Sequence, residues 1–318
     1  MSGVAPMLPN KLLVVEVGST LHGIGIGSDD TDYMGVCLEP PETVFGLGTF
    51  EQYQHRTAPE GVRSGPGDVD VVIYGLKKWM RLAAKGNPSV IMPLYAPPEF
   101  IDFMHPLGEE LRGLHSAIVS RKCKGRFLGY LNGQRDRAER DRGSGRGRRE
   151  GREAKWASHM VRLGYQAEEL LSTGWLTLPM PPEKAEVCRA IKRGEVSFRE
   201  ALDLSTEQVH RIERLDGTAL LPKPDMGRIE SWMQSAYMRV YAGAGPLAET
   251  DATGKGAELR DVPAPTHLPE IQVVAAAWPI YDRLIQDEDP AALRRLSSVW
   301  AEARQIAERS LRAAREAA

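Results

Sequence analysis

The chain of 318 residues is poor in cysteine and lacks any long apolar run. Its three cysteines, Cys37, Cys123 and Cys188, lie far apart and form no CxxC pair. That number and spacing exclude a disulfide framework and a cysteine zinc site, and indicate reduced thiols. No apolar segment approaches the ~20 residues that a membrane helix needs, and no signal peptide is visible. We therefore expect a cytoplasmic protein.

The sequence also lacks a strong net charge and an internal repeat. The formal net charge is −2, so any argument for nucleic-acid binding has to rest on a local patch. Hydrophobic residues make up 42% of the chain and charged residues 26%, which is typical of globular proteins. The length allows one large domain or two moderate ones with a real core.

One stretch, residues 12–38, carries the most informative pattern. It opens with an apolar run that predicts a buried strand and then breaks at Gly18-Ser19. A loop with several glycines follows, and an acidic segment leads into a second apolar run, Tyr33 to Leu38, which predicts another strand. Gly18 and Ser19 could offer backbone N–H groups and a hydroxyl to a triphosphate, because glycine lets the backbone approach closely.

Asp30 and Asp32 stand at the start of this second strand. Residues two apart in a strand face the same side, with their Cα atoms ~6.6 Å apart. Two carboxylates so placed can share divalent cations, and Mg²⁺ prefers such hard oxygen ligands. The alternative is that Asp-Asp-Thr-Asp is ordinary turn composition, since aspartate commonly caps turns.

The stretch resembles the signature of the DNA polymerase β-like nucleotidyltransferase superfamily. The matching residues are Val17-Gly18-Ser19 followed by Asp30-Thr31-Asp32, with Thr31 where the signature prefers an apolar residue. Within the superfamily, GSTLHG followed by SDDTDYMGV is most similar to a branch of predicted nucleotidyltransferases of bacteria and phages that is sometimes linked to RNA repair. The segment from Asp70 to Tyr95 also resembles that branch. The resemblance is strong over residues 12–97 and weaker over 150–215.

The resemblance implies an α+β fold in which a small mixed β-sheet domain is followed by a mainly helical domain. It also implies transfer of an NMP from an NTP such as ATP to an acceptor hydroxyl, expected to be on RNA, with release of pyrophosphate. Asp30, Asp32 and Asp70 would hold two Mg²⁺ ions, or Mn²⁺, and Asp70 would help to deprotonate the acceptor. Asp68, two residues from Asp70 on the same strand face, is an alternative third carboxylate.

The candidate nucleotide-binding residues extend beyond the signature. They are Gly18, Ser19, Ser28, Lys77, Asn87 and His159. Lys77 lies in the first turn of a helix predicted over residues 76–85 and could instead be solvated. Asn87 follows that helix and could simply cap it. His159 shares a helix edge with Lys155 and Arg162 and could instead be a structural histidine.

The remaining pattern predicts mainly helices. We expect a catalytic domain over residues 1–105, a helical domain over 106–242, a linker over 243–267 and a helical segment over 268–318. Residues 51–67 are predicted to be a mobile polar connection. Helices are expected over 106–131, 153–173 and 228–241, with two short helices around Gly194 and another at 206–215.

The helical part contains an Arg-rich stretch, residues 132–152, which its Gly and Ser residues predict to be a loop. Residues 121–155 hold thirteen Lys and Arg against five Asp and Glu. The stretch could be a solvated charged loop or an arm that binds RNA phosphates.

Two other functions remain open from the sequence. One is a catalytically inactive nucleic-acid-binding protein, and the other is a toxin or defence component that nucleotidylates a protein or a tRNA.

Overall fold

A computed structural model of the chain describes residues 8, 10–27, 30–62, 64–143, 152–215 and 218–241. Five strands form one mixed sheet in the order β3-β4-β2-β1-β5. Their bounds are β1 Lys11–Glu16, β2 Thr31–Cys37, β3 Gln52–Arg56, β4 Val69–Gly75 and β5 Ile101–Met104. β2 and β4 are parallel, whereas the other neighbouring pairs are antiparallel.

The central strands form because their apolar side chains are buried. Val14, Cys37, Val71 and Ile73 form a cluster on one face of the sheet, each at most 1% exposed. Gly35 in β2 lies where a Cβ atom would come within 2.9 Å of the Leu13 carbonyl oxygen on β1. The missing side chain therefore lets three strands pack closely at the centre of the sheet.

Helices lie between the strands along the chain and after β5. Their bounds are α1 Gly18–His22, α2 Pro41–Val44, α3 Leu76–Ala84, α4 Pro106–Gly113, α5 His115–Ile118, α6 Cys123–Gly143, α7 Arg152–Thr173, α8 Pro182–Arg193, α9 Phe198–Glu213 and α10 Met226–Tyr241. α7 packs against α6, α8 and α9. The Ser158 hydroxyl on α7 donates a hydrogen bond of 2.8 Å to the Cys188 carbonyl oxygen on α8. The predicted α+β class, with a small mixed sheet followed by helices, is confirmed.

The chain divides into two compact units, one through Glu230 and one from Ser231, of which the structure describes residues 231–241. The boundaries expected at residues 105, 242 and 267 stay predictions, and the expected linker and C-terminal helical segment lie outside the described residues. No helix in the described ranges is both long and apolar enough to cross a membrane.

Four expectations for the secondary structure were wrong. The helix expected over 106–131 is divided among α4, α5 and the first part of α6. Residues 51–67, predicted to be a connection, contain the edge strand β3, and β5 was not predicted. The Arg-rich stretch, predicted to be a loop over 132–152, is helical through residue 143, and residues 144–151 lie outside the described part. The helices predicted near 198–203 and 206–215 are one helix, α9.

Tertiary contacts explain these differences. β3 has the polar sequence QYQHR and is half-buried to exposed, so it has no apolar alternation; its pairing with β4 makes it a strand. α6 tolerates its glycines because Phe127, Leu131 and Ala138 are buried, and its packing against α7 offsets their low helix propensity.

Candidate active site

Three strand ends meet at one edge of the sheet. β1 ends there at Glu16, and β2 and β4 begin there, because β2 is antiparallel to β1 and parallel to β4. Asp32 and Asp70 are register partners on β2 and β4, so their side chains leave the same face at a strand spacing of ~4.8 Å. The sheet topology therefore brings Asp32 and Asp70 close together at this end of the sheet.

The carboxylates of Asp30, Asp32 and Asp70 form a compact cluster. Each offers an oxygen atom, and these oxygens all lie within 4.8 Å of one another. All three side chains are half-buried. Asp68 lies outside the cluster, because its carboxylate accepts hydrogen bonds from the Gly65 N–H at 2.9 Å and from the Thr57 hydroxyl at 3.0 Å. The structure thus brings Asp70, and not Asp68, to the other two carboxylates.

Gly18 closes one side of this cluster. Its φ of +70° is a left-handed conformation that glycine adopts readily. A Cβ atom at this position would collide with the carboxylate of Asp32. The adjacent Val17 N–H donates a hydrogen bond of 2.8 Å to the Asp32 carbonyl oxygen. The Gly-Ser turn and Asp32 are therefore held in contact by backbone geometry that a larger residue would disrupt.

Two residues that the sequence did not single out hold Asp70. Arg56, its register partner on β3, approaches it with 3.3 Å between Nε and Oδ1. The Ser64 hydroxyl lies 3.0 Å from both carboxylate oxygens of Asp70 and accepts a hydrogen bond of 2.9 Å from Arg56 Nε. Arg56 neutralises part of the negative charge, and Ser64 fixes the orientation of the carboxylate.

The donor set fits a divalent cation. Three carboxylates supply only oxygen atoms, which Mg²⁺ and Mn²⁺ prefer over nitrogen or sulfur. Carboxylates this close repel one another, so the cluster favours a positive charge between them. Their partial exposure leaves room for water or a phosphate to complete the coordination.

The other predicted nucleotide-binding residues lie in different places. Ser19 is half-buried on α1, and its hydroxyl makes no hydrogen bond within the described ranges. Ser28 lies outside the described residues. Lys77 follows the far end of β4, and the five residue steps from Asp70 to Gly75 alone span ~17 Å. Asn87 accepts from the Ser89 N–H at 3.0 Å as a local cap. The structure does not bring Lys77 or Asn87 to the carboxylates.

His159 belongs to a group of basic side chains on the C-terminal side of α1. His22, at the end of α1, is buried, and it contacts Arg162 through Nε2 at 3.1 Å and Gln166 through Nδ1 at 3.0 Å. Burial, then Arg162, His159 and Lys192, hold the pKa of His22 well below its usual range. Burial and the same arginine likewise lower the pKa of His159. Both histidines are therefore neutral at pH 7.

Arg162 is the centre of this group. Its Nη1 donates to Gln166 Oε1 at 2.7 Å, and its Nε is buried with no hydrogen-bond partner in the described part of the chain. Burial lowers the pKa of Arg162 to about 10, so the side chain stays charged at pH 7. His22 and Lys192 were missed from the sequence, since no local pattern connects them to Arg162.

Comparison with known proteins identifies the family of this chain. The profile of the RNA repair pathway DNA polymerase beta family (RlaP) matches residues 9–202, which is more than half of the chain. An uncharacterized 38.9 kDa protein of Enterobacteria phage T4, from the nrdC-mobD intergenic region, is 24% identical over 119 residues. That match covers 37% of this chain and 35% of the phage protein, so the chain spans about a third of the relative's length.

A solved structure is also similar, at low level. It is a nucleotidyltransferase-like protein from Exiguobacterium sibiricum, 9% identical, with a TM-score of 0.27 over 74% of this chain and 77% of that one. This likeness is too distant to bear on function. The matched region of the family profile contains the Gly-Ser turn, all three carboxylates and α7. By that match, the chain belongs to the RNA repair pathway DNA polymerase beta family.

Proposed function

We propose that the protein is a metal-dependent nucleotidyltransferase that moves an NMP from an NTP to an acceptor hydroxyl on RNA and releases pyrophosphate. The observation that carries this proposal is the convergence of Asp30, Asp32 and Asp70 within 4.8 Å beside the Gly18-Ser19 turn. A scaffold that only bound nucleic acid would have no need for three clustered carboxylates, whose mutual repulsion costs stability.

The residues have separate tasks in this proposal. Asp30, Asp32 and Asp70 would hold two divalent cations, which supply charge neutralisation to the phosphates and lower the pKa of the acceptor hydroxyl. Ser19, whose hydroxyl makes no hydrogen bond within the described ranges, and the backbone beside Gly18 would orient the triphosphate. Ser64 would keep the Asp70 carboxylate turned toward the acceptor.

The bond changes follow from this arrangement. The acceptor oxygen attacks the α-phosphorus of the NTP, and its proton passes to Asp70. The bond between the α-phosphorus and the bridging oxygen breaks, and pyrophosphate leaves with the electron pair. Positioning and electrostatic stabilisation account for most of the acceleration in reactions of this kind.

The test is transfer of label from α-³²P-NTP. The full chain is incubated with Mg²⁺, each NTP in turn, and tRNA, short RNA, or no added acceptor. We expect label on RNA, and we expect Asp32→Asn to lower the rate by about 100-fold or more, as loss of one key electrostatic group does. Asp68→Asn is the matched control and should retain most activity, because Asp68 lies outside the cluster.

Two results would overturn the proposal. One is an absence of label on any acceptor with every NTP while the protein still binds RNA in EDTA, which would indicate a binding protein. The other is label on the protein alone, which would indicate self-nucleotidylation and remove RNA as the acceptor.

A further inference from the structure

No structural role explains why the basic side chains around Arg162 are buried. Arg162 Nη1 lies 3.1 Å from Nε2 of His22 on α1, and His159 and Lys192 are near enough for their charges to lower the pKa of His22. Burial of positive charge is costly unless a negative charge balances it. Arg162 makes no ion pair within the described residues, and its polar contacts are the neutral side chains of His22 and Gln166. Arg162 therefore keeps its positive charge in a partly desolvated place without a carboxylate partner among the described residues.

Polar contacts also hold the side chains of this basic group in place. Gln166 Nε2 lies 3.0 Å from Nδ1 of His22, and Arg162 Nη1 lies 3.1 Å from Nε2. The neutral ring accepts a hydrogen bond from one of these two donors, and the other makes a close polar contact. On α8, the Lys192 Nζ atom is buried, and Arg189 donates a hydrogen bond to the Gly23 carbonyl oxygen just after α1. Side chains held in this way retain their geometry before a ligand arrives, which lowers the entropy cost of binding.

The position of the group relates it to the carboxylates. α1 has five residues, so His22 lies ~6 Å along the helix axis from Gly18. Gly18 is in contact with Asp32. His22, which contacts Arg162, therefore lies about one helical turn from the Gly-Ser turn beside the carboxylate cluster.

We propose that His22, His159, Arg162 and Lys192 form a subsite for a terminal phosphoryl group of a substrate. Guanidinium and ammonium groups bind phosphate oxygens through charge-assisted hydrogen bonds, and the unused Nε of Arg162 adds a buried donor. The phosphoryl group can come from the polyphosphate of the NTP or from a phosphate at an RNA end. The place of this subsite in a reaction rests on the proposed nucleotidyl transfer, whereas its ability to bind phosphate does not.

The first test measures binding of inorganic pyrophosphate to the full chain by isothermal titration calorimetry in EDTA, where metal and turnover play no part. We expect binding that Arg162→Met and Lys192→Gln each weaken by about tenfold, as loss of a charge-assisted contact does. Arg193→Gln on the same helix is the matched control, because Arg193 is exposed and paired with Glu186 and Glu195. It should bind as the wild type does.

The source of the phosphate is decided by further ligands in the same assay. ATP is compared with adenosine, and RNA oligonucleotides with 5′- or 3′-phosphate are compared with their hydroxyl counterparts. Selective loss of ATP binding in the variants assigns the subsite to the donor nucleotide. Selective loss of binding to a phosphorylated RNA end assigns it to the acceptor. Absence of pyrophosphate binding to the wild type, or equal binding by all variants, would overturn the proposal.

A second readout uses the wild type alone and remains valid if the variants fail to fold. A bound anion raises the pKa of the neutral histidines, so binding of sulfate, which carries no titrating proton at pH 6, should take up protons at that pH. Titrations in buffers of different ionisation enthalpy measure this uptake. Binding without proton uptake would place the anion elsewhere and contradict the proposal. Inactivity of the wild type in the labelling assay, with this uptake intact, would count against nucleotidyl transfer only.

Discussion

At the scale of single residues, the site depends on groups that touch Asp32 and Asp70 without being carboxylates themselves. Gly18 approaches Asp32 where no side chain fits, and Arg56 and Ser64 hold Asp70. These contacts fix the shape and the charge of the cluster, so they offer the sharpest mutational tests of it.

Replacing Gly18 by alanine should weaken metal binding by the carboxylate cluster, and backbone strain at this position does not by itself account for that effect. Gly18→Ala adds a methyl group that collides with the Asp32 carboxylate. It also places alanine in the left-handed conformation, which lowers the free energy of unfolding by about 1–2 kcal/mol. The matched control is Gly27→Ala, because Gly27 has a φ of +82° but no atom of the described residues within 4 Å of its Cβ position. We expect both variants to lose stability in urea unfolding, Gly18→Ala the more because of its collision with Asp32, and only Gly18→Ala to weaken Mn²⁺ binding, by at least about tenfold. Equal Mn²⁺ affinity in the two variants would contradict this role.

Removal of Arg56 should strengthen metal binding. Arg56 competes with a cation for the Asp70 carboxylate, but both side chains are about a third exposed, at 41% and 30%. A pair this exposed contributes up to about 1 kcal/mol, so Arg56→Ala should tighten Mn²⁺ binding by about two- to fivefold. Calorimetric titration with Mn²⁺ measures the change. Arg81→Ala, which removes an exposed arginine near Glu51, is the control and should change nothing. Unchanged or weaker binding in Arg56→Ala would show that Arg56 does not compete.

At the scale of elements, β4 connects directly to α3, and a buried carboxylate secures the junction. Glu39 is 3% exposed, and its Oε1 accepts a hydrogen bond of 2.8 Å from the Lys77 N–H in the first turn of α3. A glycine precedes the helix at position 75, where a Cβ atom would collide with Glu39. β4, which carries Asp70, is thereby fixed at its far end.

Glu39→Ala should destabilise the fold without abolishing metal binding. Loss of a side chain that caps a helix N-terminus costs about 0.5–2 kcal/mol. Glu42→Ala, an exposed glutamate in α2, is the control and should cost less than about 0.5 kcal/mol. Urea unfolding followed by circular dichroism gives both values. A Glu39→Ala variant as stable as the control would mean that the cap contributes nothing to α3.

At the scale of the whole molecule, the basic group makes stability depend on pH. His22 on α1 is held neutral by its burial and by Arg162 and Lys192, with His159 also close. Its pKa in the folded protein is therefore below the ~6.5 expected of the unfolded chain. Protons then bind preferentially to the unfolded chain as the pH falls below that value.

The free energy of unfolding should therefore be complete above about pH 6.5 and fall as the solution is acidified. The loss attributable to His22 approaches about 1.4 kcal/mol per pH unit until its folded pKa is reached. Urea unfolding at intervals from pH 7 to pH 5 measures this slope. His22→Gln should have a shallower slope over the same range, and an unchanged slope would exclude His22 as the source.

The sequence by itself determined the parts of this protein that local chemistry specifies. The apolar runs of β1, β2 and β4 predict buried strands because apolar side chains are stabilised when they are removed from water. The Gly18-Ser19 turn and the closely spaced Asp30 and Asp32 also stand in one short stretch. These local features were sufficient to predict the fold class and the family, and both predictions are confirmed.

Tertiary structure alone decided the features that join distant residues. The resemblance favours Asp70 and leaves Asp68 as an alternative, whereas the register between β2 and β4, which the sequence does not fix, places Asp70 and not Asp68 opposite Asp32. β3 is a strand only because β4 supplies its hydrogen bonds, and this pairing delivers Arg56 to the site. His22 meets Arg162 across 140 positions of the chain. Such contacts arise when whole helices and strands pack, and the packing energy is spread over many residues. No short sequence pattern therefore predicts them.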